Sequence, residues 1–401
     1  MAKIIVEQLT KVFGRNPERA LQMLNEGHDP AEVFRSTGLA VAVWNASLCV
    51  EQGELFVIIG LSGSGKSTLI RCLNRLVEPT AGRIVIDGED VTVMDGRQLR
   101  QFRQRRLGMV FQRFALFPHR TVLENVEFGL EIQGVDSRDR RERAMAMLEL
   151  VGLSDWAQYK PDALSGGMQQ RVGLARALAS DPDILLMDEP FSALDPLIRR
   201  RMQDELLQLQ QRLGKTIIFV THDLDEALKL GDRVAIMRAG QIVQVSSPEE
   251  VLARPADEYV AEFTRDVNPI KVLKARNVMW PPDPLVFLKD GPRVALRQMQ
   301  ERGLSSAFVV DKNRRLKGLL TVDAALAAIR QGQDNLEDLV EADFPRAHPD
   351  TSLEELISTA VSSRYPIAVV NGDGVLQGII ARVAVLSALI GPQGGEERAV
   401  S

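Results

Sequence analysis

The sequence predicts an α/β domain followed by a smaller α+β module, and three observations predict it. Short continuous apolar runs at 54–60, 184–187 and 217–220 are separated by helix-patterned stretches, as in a parallel sheet covered on both faces. The first of those runs opens onto a glycine-rich turn and a helix. Beyond Pro281, Pro282 and Pro284 an internal repeat begins, in which AFVVDKNRRLKGLL (307–320) matches IAVVNGDGVLQGII (367–380).

Residues 3–13 read as a first strand, with Ile4, Ile5 and Val6 ahead of Leu9 and Val12. A polar stretch of helical pattern, 15–38, follows as an insertion carrying Ala20, Leu21, Met23 and Leu24, then a second piece at 31–34. After the strand at 54–60, short apolar strands are expected at 84–86 and 109–111 and helices through 120–180. The runs at 184–187 and 217–220 complete the set, giving a first domain over 1–270. The second module spans 271–391, in copies at about 278–335 and 339–391. Val310 matches Val370 and Gly318 matches Gly378, each sixty residues apart. Each copy reads strand, turn, strand, then a helix, at 324–329 and 383–389. The glycine- and glutamate-containing tail, 392–401, is expected to be disordered.

At 401 residues the chain can bury a sizeable core, and 45% hydrophobic with 26% charged residues is ordinary for a globular protein. A net charge of −5 gives no global field for nucleic acid, which is not expected as a partner. Local basic runs, at Arg103, Arg105 and Arg106 and at Arg199, Arg200 and Arg201, read as solvated helix faces or as sites for acidic lipid or a partner. Cys49 and Cys72 have no metal-ligand spacing, so neither a disulfide framework nor a zinc site is implied, and a reducing compartment fits. The opening MAKIIVEQLT has no secretory pattern. The longest apolar candidate, 378–390, carries Arg382 and is too short to span a bilayer.

The strongest motif is Gly60, Leu61, Ser62, Gly63, Ser64, Gly65, Lys66 and Ser67, which fits G-x-x-x-x-G-K-[ST]. Glycines let the backbone curl so that successive N–H groups point inward, and the following helix adds its positive end. The result is a cradle for β- and γ-phosphates, with Lys66 as a point charge, Thr68 as a further contact and the Ser67 hydroxyl as a Mg²⁺ ligand. A second motif, the run ILLMDEP at 184–190, ends a buried strand in two carboxylates. Ligands of open α/β sheets bind outside such strand ends. Asp188 is placed to hold Mg²⁺, directly or through water, and Glu189 to polarise an attacking water. Phosphoryl transfer depends on positioning and charge, so more polar groups should converge on the γ-phosphate. Gln112 and His222, each after an apolar strand, are the candidates. A lone histidine is more often structural, but its place at a strand's carboxyl end favours the site.

A third motif is LSGGMQQ at 164–170. Ser165 can cap a helix, and Gly166 and Gly167 leave its N-terminus open as a second phosphate-binding end. Met168, Val172, Ala175 and Ala179 give that helix an apolar stripe, which reads as core.

These motifs together resemble the ABC-transporter ATPase family, a P-loop NTPase fold, over about residues 3–265. The segment 164–170 resembles the family's signature motif. Gln112 falls at the Q-loop, with a catalytic and metal-contacting role, 192–195 with Asp195 at the D-loop, and His222 at the switch histidine. The resemblance implies ATP and Mg²⁺ as ligands and a homodimer packed head-to-tail. In it Ser165, Gly166 and Gly167 would complete the site of the other subunit. It further implies integral membrane permease subunits coupled near Gln112, over 111–117. Phe13 matches the family's adenine-stacking aromatic, although an ordinary core phenylalanine is the other reading.

The insertion, the cassette and the repeat together resemble the ATP-binding subunit of bacterial glycine betaine/proline importers, whose C-terminal part is a tandem CBS module. That resemblance implies a quaternary ammonium cargo such as glycine betaine, proline betaine, choline or carnitine. It also implies a periplasmic or lipid-anchored substrate-binding protein and a place on the cytoplasmic face of the inner membrane. The CBS copies depart from the nucleotide-binding pattern. The first has Thr321 with Asp323, and the second has Ala381 and Arg382 with neither hydroxyl nor acid. Sensing of ionic strength or anionic lipid through charges such as Arg314, Arg315 and Lys317, and a purely structural role, both stay open. The rivals are a soluble ABC ATPase outside transport and a protein that binds ATP without hydrolysing it. Sustained heptads or a second G-x-x-x-x-G-K-[ST] would favour the first, and loss of Glu189 or His222 the second; the sequence shows none of these.

Overall fold

The segment 2–13 is hydrogen-bonded along both edges, antiparallel to 40–51 on one side and to 81–86 on the other. The computed structural model describes residues 2–112, 115–192 and 194–390. The expected tail at 392–401 lies outside these residues, as do Arg113 and Phe114 in the 111–117 segment and Ala193 in the D-loop. The chain divides into two units, Met1–Arg265 and Asp266–Ser401.

In the first unit the strands are β1 (Ala2–Phe13), β2 (Ala40–Glu51), β3 (Leu55–Ile59), β4 (Ala81–Ile86), β5 (Glu89–Asp90), β6 (Leu107–Val110), β7 (Ile184–Asp188), β8 (Thr216–Thr221), β9 (Arg233–Arg238) and β10 (Gln241–Ser246). They form two sheets, ordered β2-β1-β4-β5 and β10-β9-β3-β8-β7-β6. The first is antiparallel. The second is parallel except at its β10 edge. β3, β7 and β8 are buried at every residue, which explains their unbroken apolar runs. A single apolar core draws on both sheets, with Ile4, Val6 and Val43 from one and Phe56, Ile58 and Leu186 from the other.

β2, β5, β9 and β10 have no counterpart among the strands expected from the sequence, whereas β1 and β4 of the antiparallel sheet answer to the strands expected at 3–13 and 84–86. β2 mixes apolar residues with Asn45, Ser47 and Glu51, as suits a partly exposed antiparallel strand. The strand expected at 109–111 runs instead over Leu107–Val110, so Phe111 lies outside it.

The insertion forms two helices, Glu18–Asn25 and Pro30–Thr37. A capping box of Asp29 and Glu32 starts the second, and Gly38 in the left-handed region ends it. Ala20, Leu24 and Val33 pack on Val12 as a small satellite core. Farther along, Val126, Leu130, Ala144 and Leu148 bury helices Val122–Ile132 and Ser137–Leu150 against Val172, Ala175 and Ala179 of helix Gly166–Ala179. That last helix carries the expected stripe, with Met168 only partly buried.

The basic runs are more than solvated faces. Arg103 donates to the Asn74 and Arg75 carbonyls at 2.7 Å each, and Arg106 pairs with Asp183 at 2.5 Å. Cys49 and Cys72 are both free, and burial pushes the Cys72 thiol up to about 12.

The second unit repeats itself. β11 (Val286–Phe287), β12 (Ser306–Val310) and β13 (Leu316–Thr321) form one sheet; β14 (Arg346–Ala347), β15 (Ile367–Val370) and β16 (Leu376–Ile380) form the other. Each carries the same irregularity, before Val310 and before Val370. Helices Gly291–Glu301 and Val322–Arg330 cover the first copy, Leu353–Ser362 and Arg382–Ile390 the second. The copies join through reciprocal backbone bonds. The Leu316 N–H donates to Gly374 and the Leu376 N–H to Arg314, at 2.9 and 3.0 Å. Such exchange is the mark of a local two-fold. Among the described residues no helix is long and apolar enough to cross a membrane.

Candidate functional site

The glycine-rich loop leaves the carboxyl end of β3 and enters helix Lys66–Leu73. Two of its glycines are sterically required. A Cβ at Gly60 would stand 2.2 Å from the Met237 carbonyl oxygen, and one at Gly65 only 2.1 Å from that of Ala42. Gly65 also has φ +101°, a conformation that side chains rarely adopt. The loop is therefore wedged between β9 and β2.

Lys66 is 4% exposed, and its ammonium donates to the carbonyls of Gly60 at 2.8 Å and Leu61 at 3.0 Å. Burial lowers its pKa from the ordinary lysine value, and the charges of Glu189 and Asp188 oppose that shift. Asp188, 1% exposed, ends β7 and uses both oxygens. Oδ1 accepts from Ser67 Oγ at 2.8 Å and Oδ2 from Arg71 Nη2 at 3.0 Å.

The next residue, Glu189, has φ +47°, which swings its side chain away from that of Asp188. Its backbone N–H donates to Val220 O at 3.0 Å. Its Oε2 lies 3.0 Å from His222 Nδ1 and accepts from Gln112 Nε2 at 3.3 Å. Thus β6, β7 and β8 each deliver one polar group, from just past their carboxyl ends, to one point.

Loop and triad face one cavity of about 570 Å³. Ser62, Gly63, Gly65, Lys66, Ser67 and Thr68 of the loop and helix line it together with Gln112, Glu189 and His222, and with Ala42 of β2. Ser64 Oγ is buried without a hydrogen-bond partner, while Leu61 is 59% exposed.

Of the expected contacts, Gly60, Leu61, Ser64 and Asp188 belong to the loop and to β7 without lining the cavity, and Phe13, Ser165, Gly166, Gly167 and Asp195 stand elsewhere in the chain. Ser165 caps helix Gly166–Ala179, accepting from the Met168 N–H at 3.4 Å, and Gly166, exposed, and Gly167, half-buried, are that helix's first residues. Asp195 caps helix Pro196–Leu213, accepting from Leu197 and Ile198 at 3.1 Å each. Phe13 is 43% exposed with the Lys11 ammonium 4.9 Å over its ring, so it is no ordinary core residue.

Ala42 and Arg71 were not anticipated. Arg71 had a findable signal, since it stands four residues after Ser67 and so shares its helix face. Ala42 had none, because its strand was not expected.

A glycine loop at a helix N-terminus, beside paired carboxylates at the end of β7, defines a P-loop nucleotide-binding ATPase. Comparison with known proteins narrows the class. Residues 43–192 match the ABC transporter family, and residues 275–331 and 336–391 match CBS domains. The glycine betaine/carnitine transport ATP-binding protein of Listeria monocytogenes is 52% identical, covering 98% of each chain. The glycine betaine transport ATP-binding protein of Bacillus subtilis is 51% identical over 97% of this chain and 93% of its own. A glycine betaine/proline betaine counterpart from Escherichia coli is 45% identical over 96% and 97%. A dimeric ATP-binding cassette solved after hydrolysis, with ADP and phosphate, matches at TM-score 0.52 and 33% identity, over 61% of this chain and 98% of that one. The chain belongs to the ABC transporter family, among its transport ATP-binding proteins with a tandem CBS module.

Proposed function

We propose that this chain binds and hydrolyses ATP to energise import of a quaternary ammonium osmolyte of the glycine betaine/proline type. The observation that carries the hydrolytic half is the meeting of His222 and Gln112 on one oxygen of Glu189, across a single cavity from Lys66. The cargo rests on the relatives, whose names specify glycine betaine with carnitine or proline betaine.

The residues present fit a magnesium nucleotide. Ser67 Oγ and Asp188 Oδ1 form a hard-oxygen pair 2.8 Å apart, as magnesium prefers, and Gln112 offers an amide oxygen from just past β6. A cradle that no Cβ could enter at Gly60 or Gly65 suits close approach of phosphate to backbone. When bound, the metal neutralises charge on the phosphates. Lys66 exchanges its two carbonyl partners for phosphate oxygens. Glu189 holds an attacking water and takes its proton, and His222 orients Glu189 and the γ-phosphate. Nucleotide contacts then comprise Gly60 to Thr68 in this chain, with Ser165, Gly166, Gly167 and Asp195 supplied by a second copy. Their capping geometry, outside the cavity of their own chain, supports that assignment. Phe13, exposed at the end of β1, remains available to adenine.

A homodimer would dock beneath integral membrane permease subunits on the cytoplasmic face of the inner membrane, fed by a periplasmic or lipid-anchored binding protein. Reconstitution with the permease in vesicles tests the reading. ATP-dependent uptake of labelled glycine betaine is expected, abolished by Lys66→Ala. Hydrolysis without uptake of any trimethylammonium solute would overturn the cargo.

A further inference from the structure

His222 presents a positional problem. Its side chain is 56% exposed, so packing does not fix the ring. Its place is inherited from its chain neighbours, Thr221 and Asp223, and both are held from behind. Thr221 Oγ1 donates to Glu226 Oε2 and accepts from the Asp223 N–H at 3.0 Å. Glu226 is 5% exposed, and its other oxygen accepts from Gln203 Nε2 at 3.0 Å. Asp223 Oδ1 caps helix Leu224–Leu230 through the Glu226 N–H at 3.1 Å.

The remaining oxygen, Asp223 Oδ2, accepts from Arg199 Nη1 at 3.3 Å. Arg199 lies in the first turn of helix Pro196–Leu213, and its Nη2 donates to the Leu194 carbonyl at 3.1 Å. One planar guanidinium thus ties the turn before that helix to the segment carrying His222. The same turn touches the other end of the chemistry. A Cβ on Gly167 would meet Ile198 Cγ2 at 2.8 Å, and one on Gly166 would lie 3.9 Å from Leu194 Cδ2.

We propose that Arg199 is a positioning residue that sets His222, through Asp223, from its anchor on the Leu194 carbonyl. The proposal rests on the catalytic reading of His222 given above. It predicts that the ring stands correctly over Glu189 only while Leu194 and Asp223 share one guanidinium. Lysine keeps the charge but offers its donors from one nitrogen, without the planar fork whose two separate nitrogens reach Leu194 and Asp223.

Two measurements test it, and they fail separately. In the nucleotide-free full-length protein, Arg199→Ala is expected to speed amide hydrogen exchange at 221–224 by roughly ten-fold, with exchange in β3 and β7 unchanged. Arg199→Lys should recover only part of the protection. Unchanged exchange at 221–224 would overturn the proposal. In single-turnover hydrolysis, Arg199→Ala should lower the rate roughly ten-fold with little change in KM for ATP, and cost nothing more in a His222→Ala background. An equal loss in both backgrounds would show a general structural role and overturn it. A His222→Ala enzyme running at full rate would instead contradict the catalytic reading of His222, while the exchange result would still report on Arg199.

Discussion

Glu189 offers a single oxygen, Oε2, to His222 Nδ1 at 3.0 Å and to Gln112 Nε2 at 3.3 Å. The carboxylate proposed as general base is therefore occupied by the two groups expected to guide it. A water entering the site must displace or share one of these bonds, which links activation of the base to arrival of the substrate.

Glu189→Gln keeps the side chain's shape and removes its basicity. Hydrolysis should fall by roughly 10²–10⁴-fold, the usual contribution of general base catalysis. ATP affinity, set by the loop and Lys66, should stay within a few-fold. Phosphate-release assays beside equilibrium nucleotide binding would check both. Unchanged hydrolysis would remove Glu189 from the mechanism.

Gly65→Ala should damage both folding and binding. Its Cβ would stand 2.1 Å from the Ala42 oxygen, at φ +101°. The contact is with backbone, so relief requires moving β2 or the loop. A loss of about 1–3 kcal/mol in stability is expected, with nucleotide affinity falling further than melting temperature suggests. Calorimetric melting and fluorescent-nucleotide titration would separate the two effects.

Arg382 has a structural task in the second unit. Its Nε donates to Ala360 O at 3.0 Å, and its Nη2 to Val361 O at 3.0 Å and Ser363 O at 3.1 Å. These carbonyls lie at the end of helix Leu353–Ser362 and need donors. Arg382→Ala should destabilise the module by about 1–2 kcal/mol, with Arg382→Lys intermediate. Thermal unfolding of the full chain, followed by exchange at 353–363, would show it.

Burial pushes the Glu226 carboxyl above its usual 4.5, against the lowering effect of its bonds with Thr221 and Gln203. A carboxyl raised by folding holds its proton more tightly in the native state. The stability it contributes is full below the unfolded value and is lost as pH rises through the folded one. Glu226→Gln does not titrate, so wild type should gain on the variant as pH falls from about 8 to about 5. Melting temperatures across that range would check the slope, and a flat or reversed trend would contradict it.

What could be read from the sequence was local in the chain. Gly60 to Ser67, Asp188 with Glu189, and 164–170 each form one continuous run, because a loop, a strand end and a helix start are made by neighbouring residues. Gln112 and His222 were findable as groups following apolar strands. β2 of the antiparallel sheet was not, since it mixes polar and apolar positions and shows no unbroken run. With it went Ala42, which walls the cavity, and the reason Gly65 must be glycine. The Arg199 link was hidden for another reason. Arg199 stands in a run of three arginines that looks like a solvated face, and only the fold sets it between Leu194 and Asp223.

The central claim is that the site of one chain is completed by the helix start at Gly166 in another. Gly166→Asp suits the test, because an acid at a helix N-terminus favours the helix yet repels a nucleotide phosphate. Size-exclusion chromatography with ATP should show Glu189→Gln as a dimer. The Glu189→Gln, Gly166→Asp double variant should remain a monomer that still binds ATP on each chain. A double variant that dimerises with ATP as readily as Glu189→Gln would contradict the account.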